Sequence, residues 1–195
     1  ISALNIEGWS SHSHGKGALY FKHLRDEPGL YQALKLLYGC IFICVGALTA
    51  RRDGELFDLI SGQCLDVSET YLLFRNRKTG PGSHRVEEAR PIPKIVVRCF
   101  KLIGRLQSVL LSLNIIENPA RAFAFPALRH AGLISAGISR RAADALDLFC
   151  DYFETPFDDQ GRRYYIRQHQ LRGFFASAFF WSADLPNACD TFRWY

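Results

Sequence analysis

His169 and Arg172 stand three residues apart in "IRQHQLRGFFASAFFW" (residues 166–181), a stretch otherwise crowded with phenylalanine. Positions three apart on a helix share a face. An imidazole that exchanges its proton near neutral pH and a permanently charged guanidinium therefore meet one small volume. Such a pair is either a local surface feature or half of an anion-handling site. Arg51 and Arg52 have the same character: they end a strongly apolar stretch just before "DGEL". Glu55, one turn beyond Arg52, stands where it could hold that guanidinium in a fixed direction, although cations at a helix C-terminus are also favoured by the dipole alone. In "FRNRKTG", Arg75 and Arg77 share one face of a strand and Lys78 points to the other. Taken alone, a solvated basic turn is the simpler account of them.

Guanidinium groups suit phosphates because their planar fork donates two parallel hydrogen bonds. Two arginines, a lysine and a histidine converging on one phosphodiester would serve metal-free phosphoryl transfer. The arginines would neutralise the developing charge, and the lysine or histidine would move protons. The set lacks a nucleophile.

The elements that must position these residues are mostly helical. "LYQALKLLYGCIFICVGALTA" reads as one long helix with Leu30, Leu34, Leu37, Ile41, Cys44 and Leu48 on its apolar face. A short helical segment, "GELFDLI", follows it. "TYLLFRNRKTG" and "HRVEEARPIP" read as two strands joined by the turn "TGPGS". "KIVVRCFKLIGRLQSVLLSL" recovers helical spacing, and "ENPARAFAFP" reads as a loop around Pro119 and Pro126. "SRRAADALDLFCDYFE" is a helix capped by Ser139, with Ala142, Ala143, Leu146, Phe149, Cys150 and Phe153 inward. "RYYIRQHQLRGFFASAFFW" continues as a helix whose aromatics read as core. "LPNACDTFRWY" starts a last one with Pro186 in its first turn. The expected fold class is α+β, mainly α-helical, with one small antiparallel β-hairpin.

Composition bounds the partner. The 195 residues are 48% hydrophobic and 22% charged, the profile of a soluble globular chain. A net charge of +5 favours a polyanion moderately. Six cysteines, at 40, 44, 64, 99, 150 and 189, sit among apolar neighbours without a C-x-x-C pair, so free thiols in a reducing compartment are expected. His12 and His14 in "SSHSHGKG" read as a polar loop, and neither metal nor cofactor is expected. "GCIFICVGAL" (residues 39–48) is too short to span a bilayer and reads as a buried helix, so no membrane association is expected. No secretory signal opens the chain.

In order, "ARRDGEL", "RKTG" in a hairpin and "HQLRGFFA" resemble the catalytic domain of the tyrosine recombinases, or phage integrases. That family carries an arginine in an R-x-x-E/D-L box at a helix end and a lysine on a β-hairpin, often before Thr-Gly. H-x-L-R then opens a buried helix, a G-H or G-W box follows, and a tyrosine comes last. By motif, Arg52 matches the first arginine, because Glu55 and Leu56 complete the box; Arg51 does not match. Lys78 matches the hairpin lysine, and His169 and Arg172 match the H-x-x-R pair. The resemblance runs from Leu30 to Tyr195.

What the resemblance implies is a single catalytic domain over 1–195, with 1–27 as a polar lead-in or linker. Its partner would be double-stranded DNA, cut through a 3′-phosphotyrosyl link without a cofactor. It would act as a homo-oligomer in a tetrameric synapse, in the cytoplasm of a bacterium or of a host to a phage or mobile element. Arg75, Arg77, His84 and Arg85 would bind DNA, with Arg167 near them. "TFRWY" matches the lead-in to an R-W-x-L-G-H box, which puts Tyr195 at a variable position and the nucleophilic tyrosine beyond it. Ile1, in a chain without methionine, points to a segment of a longer product with a DNA-binding domain upstream. Two alternatives stand beside this reading: a non-catalytic DNA-binding relative of the same fold, and an unrelated helical protein-interaction domain.

Overall fold

The computed structural model describes residues 24, 26, 29–76, 86–127 and 132–182. The fold is α+β and mainly α-helical. Its organising element is α1 (Leu30–Thr49), against which α3 (Lys94–Ser112), α4 (Ile138–Tyr152) and α5 (Gln168–Ser182) all pack. The apolar run at residues 39–48 thus belongs to a helix of 20 residues, long and apolar enough by length and composition to cross a membrane. The length argument drawn from the shorter run therefore fails. What marks α1 as a core helix is its packing against three others.

α1 buries Tyr38, Ile41, Phe42, Val45, Gly39, Gly46, Gln32 and Thr49. Of the six residues expected on its apolar face only Ile41 is buried, while Leu30 is exposed and the other four are half-buried. A helix apolar almost all round offers no single stripe for periodicity to select. The two glycines reveal the true face. A Cβ at Gly39 would lie 2.5 Å from the Ala145 carbonyl oxygen on α4, and one at Gly46 would lie 2.8 Å from Leu171 Cδ1 on α5.

The helix ends at Ala50, in the left-handed conformation (φ 52°), and the chain turns directly into α2 (Asp53–Phe57). The hairpin follows: β1 (Tyr71–Arg75) pairs antiparallel with β2 (Glu87–Pro91), from Tyr71↔Pro91 to Arg75↔Glu87. Alternation drives Leu72 and Phe74 inward and leaves Tyr71 and Arg75 exposed. Asp66 prepares the strand by accepting the backbone N–H groups of Ser68, Thr70 and Tyr71. The expected turn "TGPGS" lies outside the described residues.

The stretch expected to be a loop around Pro119 and Pro126 is largely irregular up to Ala124, with Glu117, Asn118, Pro119 and Arg121 exposed, but its second half is a buried strap. Ala122, Phe123, Ala124 and Phe125 are all buried, and β3 (Phe125–Pro126) pairs with β4 (Leu133–Ile134). Its polar backbone is satisfied as burial demands. Gln107 donates to the Arg121 carbonyl and accepts from Ala120 N–H, Tyr38 Oη donates to the Ala124 carbonyl, and Ala122 N–H donates to Leu59. Phe123 then stands edge-on to Phe42 (5.1 Å) and Phe100 (6.2 Å) at the centre of the core. These pairs contribute beyond the area they bury.

Two expectations about the C-terminal helices need correction. α4 is preceded by Gly137 in the left-handed conformation, and Ser139 is an exposed residue inside the helix rather than its cap. Gly137 turns the chain two residues earlier than a cap at Ser139 would. Its buried face is Ile138, Ala142, Ala145, Leu146, Leu148, Cys150 and Asp151, with Phe153 exposed. On α5, Leu171 alone is buried among the described side chains; Phe174, Phe180 and Trp181 are exposed. Phenylalanines at consecutive helical positions point in different directions, so only part of such a run can face the core. The expected last helix after Pro186, His12, His14 and Cys189 lie outside the described residues. The five described cysteines are free thiols.

Candidate active site

α2 starts at Asp53 because Glu55, three residues past Arg52, reaches back to the N–H that precedes the helix. The Glu55 Oε2 accepts from Arg52 N at 3.2 Å. Oε1 accepts from the Arg52 guanidinium at 3.1 Å. Arginine is donor-only, so this is the return half of a capping box. Glu55 is buried, and the Arg51 guanidinium completes its environment at 3.9 Å. Arg51 is itself buried, donating Nε to the Thr49 carbonyl and stacking over Phe74 at 4.6 Å.

The first turns of α5 supply the other side. His169 is exposed and Arg172 half-buried on the shared face that their spacing demands. The approach to α5 is anchored on α4. Tyr165 Oη donates to Asp151 Oδ1 at 2.9 Å, and Ile166 N–H donates to Cys150 Sγ at 3.3 Å. Burial, followed by the Asp151 carboxylate, pushes the Tyr165 phenol up to about 12. Burial also raises the Cys150 thiol. Arg167 pairs with Asp147 of α4.

Arg52, His169 and Arg172 line one open cavity of about 470 Å³. Phe42, Phe57 and Leu146 form its apolar floor, with Arg51, Arg167, Gln168, Asp53 and Ser139 on its walls. Four arginines and a histidine line the cavity with Asp53, while Glu55 and Asp147 pair with three of the four guanidiniums; forked donors of this kind match the geometry of a phosphate. Among the described residues no group of three His, Cys, Asp or Glu side chains could hold a metal ion.

Arg75 lines a different cavity, of about 760 Å³, together with Asp58, Gln63, Cys64, Glu87 and Arg121. Lys78, Arg77, His84, Arg85 and Tyr195 lie outside the described residues. The motifs do not mark Arg51, Gln168 or Ser139 as lining residues. For Gln168 the one available signal is its place directly before His169; for Arg51 it is adjacency to Arg52.

No family model and no curated protein matches this sequence. A crystal structure of XerA recombinase aligns with it at a TM-score of 0.48 and 18% identity, over 92% of this chain and 66% of that one. This chain thus spans just under two thirds of that protein's length, and a likeness at this level says nothing of chemistry.

Proposed function

We propose that this chain is the catalytic domain of a tyrosine-type site-specific recombinase, which breaks and rejoins duplex DNA through a 3′-phosphotyrosyl link. The observation that carries the reading is the meeting of Arg52 with His169 and Arg172 in one cationic cavity. They come from segments more than a hundred residues apart, and the motif order requires that they meet. Arg52 and Arg172 stabilise the charge developing on the attacked phosphate. His169, exposed at the cavity, assists proton transfer. Lys78, assigned by motif alone, protonates the leaving 5′-oxygen. A tyrosine hydroxyl attacks phosphorus, the bond to the 5′-oxygen breaks, and the phosphodiester energy is retained in the covalent link. Duplex DNA is the partner, several protomers assemble on paired sites, and the setting is the cytoplasm of a cell that hosts the DNA.

The test uses the full-length gene product and nicked duplexes drawn from the flanks of its own coding locus. A DNA-linked band on a denaturing gel, lost in Arg52→Ala and in Arg172→Ala, is the expected result. An adduct that both variants form at the wild-type rate would overturn the assignment. Duplex binding with no adduct under any condition would favour a non-catalytic DNA-binding relative.

A further inference from the structure

We infer that Gln168 is a positioning residue that locks the helix carrying His169 and Arg172 to the corner carrying Arg52. The catalytic consequence rests on the recombinase reading; the lock itself rests on geometry. Gln168 Nε2 donates to the carbonyl of Arg51 at 3.3 Å, across 117 residues of sequence. That carbonyl belongs to the peptide unit joining Arg51 to Arg52. The N–H of the same unit donates to Glu55 Oε2 at 3.2 Å. One peptide plane is therefore held at both polar atoms, from α2 on one side and from α5 on the other. Tilting that plane would swing the Arg52 Cα and redirect its guanidinium in the cavity. The residue before His169 thus holds the residue before Arg52.

Gln168 is in turn fixed by α1. A Cβ at Gly46 would lie 2.9 Å from Gln168 Oε1 and 3.2 Å from its Nε2, so the carboxamide lies directly on bare helix backbone. Glycine inside a helix is unfavourable relative to alanine, and here it makes the close approach possible. Leu171, one turn on and buried, packs on the same spot. Gln168 Oε1 is buried and finds no hydrogen-bond partner among the described residues. An apolar side chain of the same length would fill the space without that penalty. The single bond to the Arg51 carbonyl is what the amide supplies and such a side chain could not.

The test is Gln168→Met, which keeps the volume and removes the donor, with Gly46→Ala as a second variant that displaces the carboxamide from the α1 side. Amide hydrogen exchange at residues 52–56 should quicken about five- to tenfold in both, the worth of one hydrogen bond, while the amides of α3 keep their wild-type rates. On nicked duplex the single-turnover rate of adduct formation should fall about ten- to a hundredfold, with duplex affinity held within about twofold. Wild-type exchange at residues 52–56 in Gln168→Met would overturn the lock whether or not the protein cleaves DNA. Undiminished cleavage by that variant would overturn its catalytic role. A wild-type protein that forms no adduct would sink the recombinase reading alone, because the exchange measurement still decides the lock.

Discussion

Glu55 accepts the backbone N–H of Arg52 at 3.2 Å and its guanidinium at 3.1 Å, so one buried carboxylate fixes the arginine at main chain and side chain together. The same carboxylate faces the buried Arg51 at 3.9 Å. Removing it takes the facing carboxylate from the buried Arg51 and frees the start of α2. Glu55→Ala should cost about 3 kcal/mol, the low end for breaking a buried pair, read as a drop in the urea midpoint at constant slope. Glu55→Gln, which keeps an acceptor for the Arg52 N–H, should cost clearly less. Equal losses would mean that the negative charge, and not the acceptor for the Arg52 N–H, is what matters.

Gly39 offers a stringent check of the α1–α4 contact. The atom nearest to an added Cβ is a backbone carbonyl oxygen at 2.5 Å, and no rotamer change can move it. Gly39→Ala should destabilise by about 2–3 kcal/mol despite alanine's better helix propensity. A stabilised variant in thermal unfolding would mean that α1 and α4 do not meet closely at Gly39 in solution.

Stability should fall on the alkaline side. Burial pushes the Tyr38 phenol up to about 12 and the Cys64 thiol up to about 11. Cys99, raised first by burial and then by neighbouring Cys44, reaches about 12. Tyr165 reaches about 12 as well. Each group keeps its proton in the native state at pH values where the unfolded chain has shed it. The unfolded state therefore binds fewer protons, and stability declines as pH rises from about 9 to about 12. Lys35, pulled below its usual value by burial, opposes part of this trend. Urea midpoints at neutral pH and at about pH 9 and 11 would show the decline. Tyr38→Phe should flatten it between about pH 10 and 12, at a neutral-pH cost of about 1 kcal/mol for the orphaned Ala124 carbonyl.

Duplex binding should depend steeply on salt, because cations that replace condensed counterions on the phosphates release them. Arg52→Ala and Arg172→Ala should each lower the slope of log affinity against log salt by about 1, uniformly across duplex sequences. Slopes unchanged in both variants would place the DNA elsewhere on the protein.

Several features are legible in local patterning alone. The hairpin strands follow from the two strand-like runs on either side of the glycine-proline segment "TGPGS", α3 from its helical spacing, and the pairing of His169 with Arg172 from an interval of three residues. Glu55 stands at the one offset from Arg52 that allows a carboxylate to reach back to both of its donors. These depend on neighbours within about one turn or one strand, and the chain carries them wherever it goes.

The remainder was decided in three dimensions. α1 is apolar nearly all round, so its inward face follows from where α4 and α5 approach closely enough to require Gly39 and Gly46. The run of phenylalanines in α5 looks like core by composition, yet contact with α1 through Leu171 and Gln168 sets the helix rotation and turns Phe174, Phe180 and Trp181 outward. The 122–125 strap is polar-flanked and proline-bounded like a loop, but Gln107 and Tyr38 satisfy its backbone and make its burial affordable. Gln168 carries no motif; its significance lies in a carbonyl 117 residues away. Periodicity determines that a segment buries one side, whereas which side it buries, and which distant backbone atom it meets, is a collective property of packing.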